Sequence, residues 1–349
     1  MINRARRVLV RAAATGFVGL GAAHAQRRLR RRRGDHRVFM LEYHDVGPDG
    51  PVDEGTVSAS RFRAHLRYLR RYHRLVSLSE AVALLAQADG LHEDVVVITL
   101  DDGYAGTFEY AWPVLRDEGV PATVFLTTGF LDGTPLWFDV AARCVRAARR
   151  SGLDAWSVAR GYGTGASHAP RDLVAWMKRL PTERRRALLG DLEARCPELP
   201  PARRPLTWEQ VKAMRGDLEI GAHTVTHPIL TSSNALEQRE EIERSRMRIA
   251  ECTGASPIFF AYPNGGAGDF DETTVTCVRD AGFVAACTTV RGSNRSGCDR
   301  FTLRRLGVGE EPCLLLAARL GGLFDDPQRD RGAVRTVRPV AARLGTGPA

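Results

Sequence analysis

Residues 95–104 read Val-Val-Val-Ile-Thr-Leu-Asp-Asp-Gly-Tyr, an apolar run that ends in two carboxylates and a glycine. Such a run of β-branched residues is typical of a buried strand, here Val95–Leu100. Asp101 and Asp102 then follow the carboxyl end of this strand, where α/β barrels carry their active sites. Because neighbouring side chains on a strand point in different directions, one carboxylate can bind a cation while the other faces a substrate. The alternative is that the pair caps a helix beginning near Thr107.

Apolar segments and helical patterns alternate on both sides of this strand. The other predicted strands are Val38–His44, Ala122–Thr127, Leu218–Ala222, Pro257–Tyr262, Phe283–Thr288 and Phe301–Val308. The predicted helices are Ser60–Tyr72, Ser79–Gln87, Thr107–Glu118, Ala235–Cys252 and Glu272–Ala281. This alternation indicates a mainly parallel α/β fold, and its seven strands are enough for a barrel.

Three segments do not follow the alternation. Residues 138–204 show two or three amphipathic patterns broken by the glycine-rich stretch 161–165, which predicts a helical insertion on the barrel rim. Residues 325–349 are rich in Arg, Pro and Gly and lack periodicity, so this tail is predicted to be disordered. Residues 1–37 form a basic leader, which leaves one main domain over 38–324.

The positive charge of the chain is confined to the leader. The formal net charge is +9, and residues 1–37 contribute about +10 of it through eleven Arg against the single acid Asp35. The remaining chain is therefore close to neutral. A groove for nucleic acid needs a basic excess in the folded body, so nucleic-acid binding is not expected.

The leader has features of an export signal. A basic start precedes a weakly apolar stretch at 12–23, and Ala-His-Ala at 23–25 resembles a signal-peptidase site. The stretch is too short to span a bilayer, but the arginines at 27–33 suit anionic headgroups at a membrane surface. We therefore expect a secreted or envelope-associated protein, the alternative being a cytoplasmic protein with a disordered basic tail.

The seven cysteines are scattered along the chain and include no C-x-x-C pair. An odd number at irregular spacing indicates neither a disulfide framework nor a cysteine zinc site.

Two histidines follow another predicted strand, in Gly-Ala-His-Thr-Val-Thr-His-Pro at 221–228. On a helical turn the spacing of His223 and His227 brings both imidazoles to one side. Alone, such a pair is often a surface accident. Together with one carboxylate, two histidines form the ligand set of an open catalytic metal site, so the two motifs jointly predict a divalent metal centre. Zinc is the first expectation, and cobalt or nickel suits the same ligands.

These motifs resemble those of a known family. Thr-Leu-Asp-Asp-Gly at 99–103 and His-Thr-Val-Thr-His at 223–227 are similar to the first two motifs of the polysaccharide deacetylases of carbohydrate esterase family 4, the nodulation-type deacetylase domain. Phe-Ala-Tyr-Pro-Asn-Gly at 260–265 resembles the third. The resemblance covers roughly residues 38–310. It implies a distorted (β/α)7 barrel, a divalent metal, and hydrolysis of N-acetyl groups on an N-acetylglucosamine-containing polysaccharide.

The resemblance also implies a role for individual residues. Asp101 would be the general base, and Asp102, His223 and His227 would hold the metal. The metal and Asp101 together would activate the attacking water. The backbone N–H of Asn264, where the family usually has Tyr, would help to stabilise the oxyanion.

The chain departs from the family pattern at two positions. Many members carry an Arg in the third motif that orients the base, but this chain has Ala261, and Arg305 is the expected replacement. Many members also use a late His as general acid, but no His follows His227. Leu-Glu-Tyr-His-Asp-Val at 41–46 resembles instead the poly-N-acetylglucosamine deacetylase subgroup, where an early His serves the site. His44 is therefore expected to protonate the leaving amine, although a solvated Arg305 and a loop-bonded His44 are alternatives.

Aromatic residues suggest a sugar-binding groove. Trp137 and Tyr262 are expected to contact the substrate, and for Trp137 a buried position in the core is the alternative. Two other functions fit the same fold: removal of another acyl group, such as formyl or O-acetyl, from a sugar or lipid-linked sugar, and non-catalytic glycan binding. The presence of all four residues of the two principal motifs speaks against the non-catalytic reading.

Overall fold

Seven parallel strands close into a barrel in the computed structural model, which describes residues 21, 25, 28–30, 32–53, 55–162, 173–196 and 198–322. In chain order the strands are β1 (Val38–Tyr43), β2 (Asp45–Gly47), β3 (Thr56–Ser58), β4 (Arg74–Leu75), β5 (Val95–Leu100), β6 (Ala122–Leu126), β7 (Glu219–Ala222), β8 (Phe259–Ala261), β9 (Ala285–Arg291) and β10 (Leu303–Gly307). The barrel runs from β1 through β5, β6, β7, β8 and β9 to β10, and β10 pairs with β1 to close it. The predicted (β/α)7 barrel is confirmed.

Three short strands stand outside the closed ring. β2 and β3 form a two-stranded parallel sheet of their own. β4 pairs with the first residues of β5, while β6 pairs with the last ones. Between β9 and β10 the register shifts between Leu303 and Arg305, which distorts the barrel at that seam.

The helices pack around the barrel and on its rim. In chain order they are α1 (Ala59–Tyr72), α2 (Leu78–Leu85), α3 (Trp112–Glu118), α4 (Thr128–Leu131), α5 (Trp137–Ser151), α6 (Ala155–Ala159), α7 (Leu173–Met177), α8 (Thr182–Arg195), α9 (Trp208–Met214), α10 (Ala235–Thr253), α11 (Glu272–Asp280) and α12 (Cys313–Leu320). The predicted helix Thr107–Glu118 begins instead with a π-helical turn over Thr107–Ala111. Pro113 has no N–H to donate to the carbonyl four residues earlier, which accounts for the widened turn before α3.

Side-chain alternation along the strands separates two sides of the barrel wall. On β1, Phe39, Leu41 and Tyr43 join the larger core between strands and helices, whereas Val38 and Met40 join a second cluster together with Val95 and Val97 of β5. Because strand side chains alternate with a period of two, Glu42 lies on the same side of the barrel wall as Val38 and Met40. The barrel interior is thus apolar at its amino end and becomes polar toward the carboxyl ends of the strands.

Four helices, α5 to α8, lie in the segment where the sequence predicts an insertion. Their buried faces form a hydrophobic cluster separate from the barrel core, with Cys144, Met177, Leu188 and Leu192 among its members. The glycine-rich stretch lies partly, and the predicted disordered tail entirely, outside the described residues. The domain boundaries and most of the leader therefore stay predictions. Across the described ranges, no helix is both long and apolar enough to cross a membrane, and all seven cysteines are free thiols.

Candidate active site

Backbone strain is concentrated at the carboxyl ends of the strands. Among the described residues, four non-glycine residues have positive φ: Asp102 at 75°, Thr224 at 66°, His227 at 56° and Asn264 at 59°. All four lie in the three motifs. A β-branched residue such as Thr224 is rarely found in this region, and strain of this kind persists only where the surrounding structure enforces it. The surrounding structure therefore enforces the backbone of all three motif loops.

Asp102, His223 and His227 converge on one point. All three side chains are buried, and their ligand atoms lie within 4.8 Å of one another. Asp102 Oδ1 is 3.5 Å from His223 Nε2 and 3.4 Å from His227 Nε2. Two ligands of one tetrahedral zinc ion, each about 2.0–2.2 Å from it, stand about 3.3 Å apart. The three atoms therefore fit a shared divalent cation.

Hydrogen bonding favours the same interpretation. The Nδ1 atom of His223 lies 2.6 Å from the carbonyl oxygen of Ala261, which can only accept, so Nδ1 carries the proton and Nε2 presents a lone pair toward Asp102. Neither carboxylate oxygen of Asp102 has a hydrogen-bond partner within the described ranges. A buried carboxylate without donors is costly unless a cation compensates it.

Electrostatics keep the two histidines neutral. Burial lowers the pKa of His223 to about 4, and burial together with His223 holds the pKa of His227 well below its usual value. Burial also raises the pKa of Asp102 to about 7. Neutral imidazoles are the form that binds metal.

Asp101 has a different partner from its neighbour. Both oxygens of Asp101 accept hydrogen bonds from Arg305, from Nη1 at 2.7 Å and from Nη2 at 2.6 Å. Arg305 is fully buried and is itself fixed by Thr288 O at 2.9 Å and by Thr99 Oγ1 at 3.1 Å. Although burial acts to raise it, the attraction of Arg305 lowers the pKa of Asp101 to about 2. Asp101 is therefore an oriented, ionised carboxylate beside the group formed by Asp102, His223 and His227.

Glu42 connects Arg305 to His44. Glu42 Oε2 is 3.5 Å from Arg305 Nε, and Glu42 Oε1 is 3.6 Å from His44 Nε2. Burial acts to lower the pKa of His44, but the carboxylates of Asp102, Glu42 and Asp101 outweigh it and raise that pKa. The His44 side chain is 41% exposed, so it can reach a ligand from solvent. Sequence analysis missed Glu42, although an acid among the apolar residues of β1 was a usable signal.

Glu42, His44 and Asp101 also bring ligand atoms within 4.8 Å of one another. A metal ion at this second group would lie against the guanidinium of Arg305, which already contacts both carboxylates. Like charges at such a distance repel strongly inside a protein. The first group is the better candidate for a cation.

The two aromatic residues assigned to the substrate groove are buried instead. Tyr262 is fully buried in the core, its ring is stacked on Phe270 with centroids 4.4 Å apart, and its hydroxyl donates to Phe301 O at 2.9 Å. The assignment of Tyr262 to the groove is therefore wrong, because its side chain packs into the core instead of facing solvent. Trp137 is only 9% exposed, and its Nε1 donates to His227 O at 3.1 Å. The buried alternative describes Trp137.

Asn264 lies in the loop after β8, three residues beyond the carbonyl that binds His223. Its side-chain Nδ2 is buried without a partner among the described residues. Its backbone carbonyl oxygen accepts a hydrogen bond from Thr289 Oγ1. The next residue, Gly265, has φ +60°, and a Cβ there would lie 2.8 Å from Thr289 N. Only glycine fits this position, so the turn that presents Asn264 is fixed by the backbone.

Glu241 on α10 fixes the loop that carries His223 and His227. Its carboxylate accepts hydrogen bonds from the backbone N–H groups of Val225 at 2.8 Å and Thr226 at 2.9 Å, and from Thr226 Oγ1 at 2.7 Å. Sequence reasoning missed this residue because nothing in a surface-type helix distinguishes one glutamate from the next.

Comparison with known proteins identifies the family. A family model described as polysaccharide deacetylase matches residues 88–286. The chain belongs to the polysaccharide deacetylase family. YxkH of Bacillus subtilis (strain 168), named as a candidate polysaccharide deacetylase, is 32% identical over 274 residues, which cover 78% of this chain and 71% of YxkH. The chain is therefore a hydrolase of the polysaccharide deacetylase family.

Solved deacetylase structures share the fold. IcaB from Ammonifex degensii matches with a TM-score of 0.57 at 22% identity, over 82% of this chain and 97% of that protein. The Streptococcus pyogenes deacetylase PplD, solved with acetate, matches with a TM-score of 0.55 at 18% identity, over 80% of this chain and 96% of PplD. At these identities the likeness concerns the barrel architecture of this deacetylase.

Proposed function

We propose that this polysaccharide deacetylase removes N-acetyl groups from an N-acetylglucosamine-containing polymer with the help of a divalent metal held by Asp102, His223 and His227. One observation carries the proposal. Three buried ligand atoms face one point beside a second, separately neutralised carboxylate. This arrangement supports different tasks for the two neighbouring aspartates.

A divalent cation at this position would supply Lewis acidity, lowering the pKa of a bound water and polarising the acetyl carbonyl. Asp102 would contribute the one negative ligand, and the neutral imidazoles of His223 and His227 would complete the protein's ligand set. Zinc is the first candidate, and cobalt or nickel takes the same nitrogen and oxygen ligands.

Asp101 is the proposed general base. It is ionised at neutral pH, and each of its oxygens keeps a lone pair beyond the hydrogen bond from Arg305. In the proposed step Asp101 accepts a proton while the oxygen of the attacking water bonds to the acetyl carbon. The backbone N–H of Asn264 is the proposed donor to the resulting oxyanion.

His44 is the proposed general acid. When the carbon–nitrogen bond breaks, the amine nitrogen must receive a proton, and acetate leaves as the second product. The carboxylates around His44 raise its pKa and thus favour the protonated imidazolium. Its partial exposure leaves the imidazole accessible to a substrate, which supports this role.

The polymer and the compartment are inferred from the sequence. The early motif around His44 supports an exopolysaccharide of the poly-N-acetylglucosamine type, and we propose that the leader directs the chain to the cell envelope or to secretion, with membrane-surface contact through its arginines. Sequencing the mature amino terminus from fractionated cells tests the location. An intact chain recovered in the cytoplasm would contradict it.

Acetate release from defined polymers tests the proposed function. Purified protein is incubated with poly-N-acetylglucosamine oligomers, chitooligosaccharides and peptidoglycan fragments, and the free amines are counted in parallel. We expect one new amine per acetate, with the highest rate on the poly-N-acetylglucosamine oligomers. Release of formate from N-formyl sugars, or of acetate from O-acetyl sugars alone, would replace this proposal by another deacylation.

Replacing Arg305 is expected to move the pH profile. Removing a cation at this distance raises the pKa of a carboxylate by about 1–3 units, so Arg305→Met should shift the acid limb of kcat/KM to higher pH by that amount. Arg305→Lys keeps the charge and should leave the limb nearly in place, while lowering kcat because the two-point contact is lost. The neighbouring Arg304→Met is the matched control. A profile unchanged in Arg305→Met would contradict the role of Arg305.

A further inference from the structure

The first turn of α5 contacts the loops of both metal-ligand motifs. Trp137 and Phe138 lie against His227, while Asp139 accepts a hydrogen bond from the hydroxyl of Tyr104 at 3.0 Å. Tyr104 stands two residues after Asp102. Three consecutive residues at the start of the helical segment thus reach both sides of the candidate metal centre.

The contacts to His227 compensate for a missing hydrogen bond. His223 is oriented by the carbonyl of Ala261, but Nδ1 of His227 is buried and has no partner in the part of the chain that the structure describes. The Phe138 ring meets the His227 ring edge-on, with centroids 4.9 Å apart. Trp137 Nε1 fixes the backbone of the same residue through its carbonyl oxygen. The Phe138 packing and the Trp137 hydrogen bond therefore hold the His227 ring, a task that a hydrogen-bond acceptor at Nδ1 usually performs.

The turn is itself backed by the helices of the insertion. The guanidinium of Arg185 on α8 lies over the Trp137 ring, 4.5 Å from its centroid. On the other side, Phe138 packs against the small cluster of Tyr104, Phe130 and Leu136. A displacement of α5 would therefore move His227 and the segment after Asp102 together.

We propose that Trp137 and Phe138 are positioning residues that pre-set His227 for metal binding, so that the inserted helices tune the metal affinity of the barrel. The inference rests on the proposed metal site. Replacing a residue that supports a ligating histidine typically weakens metal binding by about 10- to 100-fold. We expect an effect in that range from either side chain.

Metal binding by conservative variants tests the inference. Trp137→Phe keeps an aromatic ring and removes the donor to His227 O, and Phe138→Leu keeps an apolar side chain and removes the ring edge. Trp176→Phe is the matched control, since Trp176 packs on Trp156 within the same insertion, with centroids 5.6 Å apart. Zinc affinity is measured by competition with a chelator, the visible spectrum is recorded with cobalt, and thermal unfolding is followed on metal-free protein.

The expected result is a zinc Kd about 10-fold higher or more in Trp137→Phe and Phe138→Leu, with a changed cobalt spectrum, and a Kd within about 2-fold of the original in Trp176→Phe. Unchanged zinc affinity in the first two variants would overturn the inference while leaving the metal site intact. An equal loss in Trp176→Phe would overturn it as well, because it would indicate general loosening. Failure of the unaltered protein to bind zinc or cobalt would instead contradict the proposed function itself.

Discussion

Asp101→Asn is expected to retain the metal and to lose turnover by about 10²- to 10⁴-fold, the usual contribution of a positioned base. Asp102→Ala and His223→Ala are expected to lose most of the bound metal. The two aspartates are adjacent in sequence, but Asp101 pairs with Arg305, whereas Asp102 turns out of the strand with φ 75° toward the two histidines. Metal content and acetate release measured on the same purified samples separate the two effects.

The outcome also distinguishes the two groups that could hold an ion. Loss of metal in Asp101→Asn, together with retention in Asp102→Ala, would place the ion between Glu42, His44 and Asp101 and would exchange the roles of the aspartates. Metal-free unfolding temperatures serve as the control, since removing Asp102 takes away a buried carboxylate with a raised pKa and should not unfold the barrel.

His44→Ala is expected to bind metal normally and to lose turnover on N-acetyl substrates by about 10²- to 10⁴-fold. An amine is a poor leaving group until it is protonated, and the sequence has no histidine after His227 that could supply the proton. An acyl ester with a good leaving group needs little protonation of its departing oxygen. The ratio of amide to ester turnover in the variant, relative to the unaltered protein, is the measurement.

Three results are informative for His44. A large loss on the amide with a small loss on the ester supports a proton donor. Equal losses on both substrates would indicate that His44 only supports the site, and unchanged amide turnover would remove it from the reaction. Glu42→Gln provides a graded comparison, because it leaves His44 in place and removes the carboxylate 3.6 Å from its Nε2.

Much of the fold was predictable because the strands are nearly continuous apolar runs. A parallel strand covered on both faces must be hydrophobic throughout, so Val95–Leu100 is recognisable without any partner. Strand order and barrel closure were not readable from local pattern, since they depend on pairings between distant residues such as those of β1 with β10. The resemblance to the family supplied them.

The site residues were predictable where several functional side chains stand close together in sequence. Asp101, Asp102, His223 and His227 stand in short motifs that directly follow the ends of apolar strands. The pairing of Arg305 with Asp101 could be anticipated only because Ala261 left a base without its usual partner. Tyr262 shows the limit of such reasoning, because an aromatic residue beside a motif has the same appearance in sequence whether it faces the groove or the core.

Turnover is expected to depend on one divalent ion bound to Asp102, His223 and His227. Acetate release by metal-depleted protein during titration with zinc measures this dependence directly. We expect negligible release from the poly-N-acetylglucosamine oligomer before zinc is added and a rise that saturates at about one ion per chain, with no recovery in His223→Ala at the same zinc concentrations. Full turnover in the rigorously metal-depleted protein, or equal recovery in His223→Ala, would contradict it.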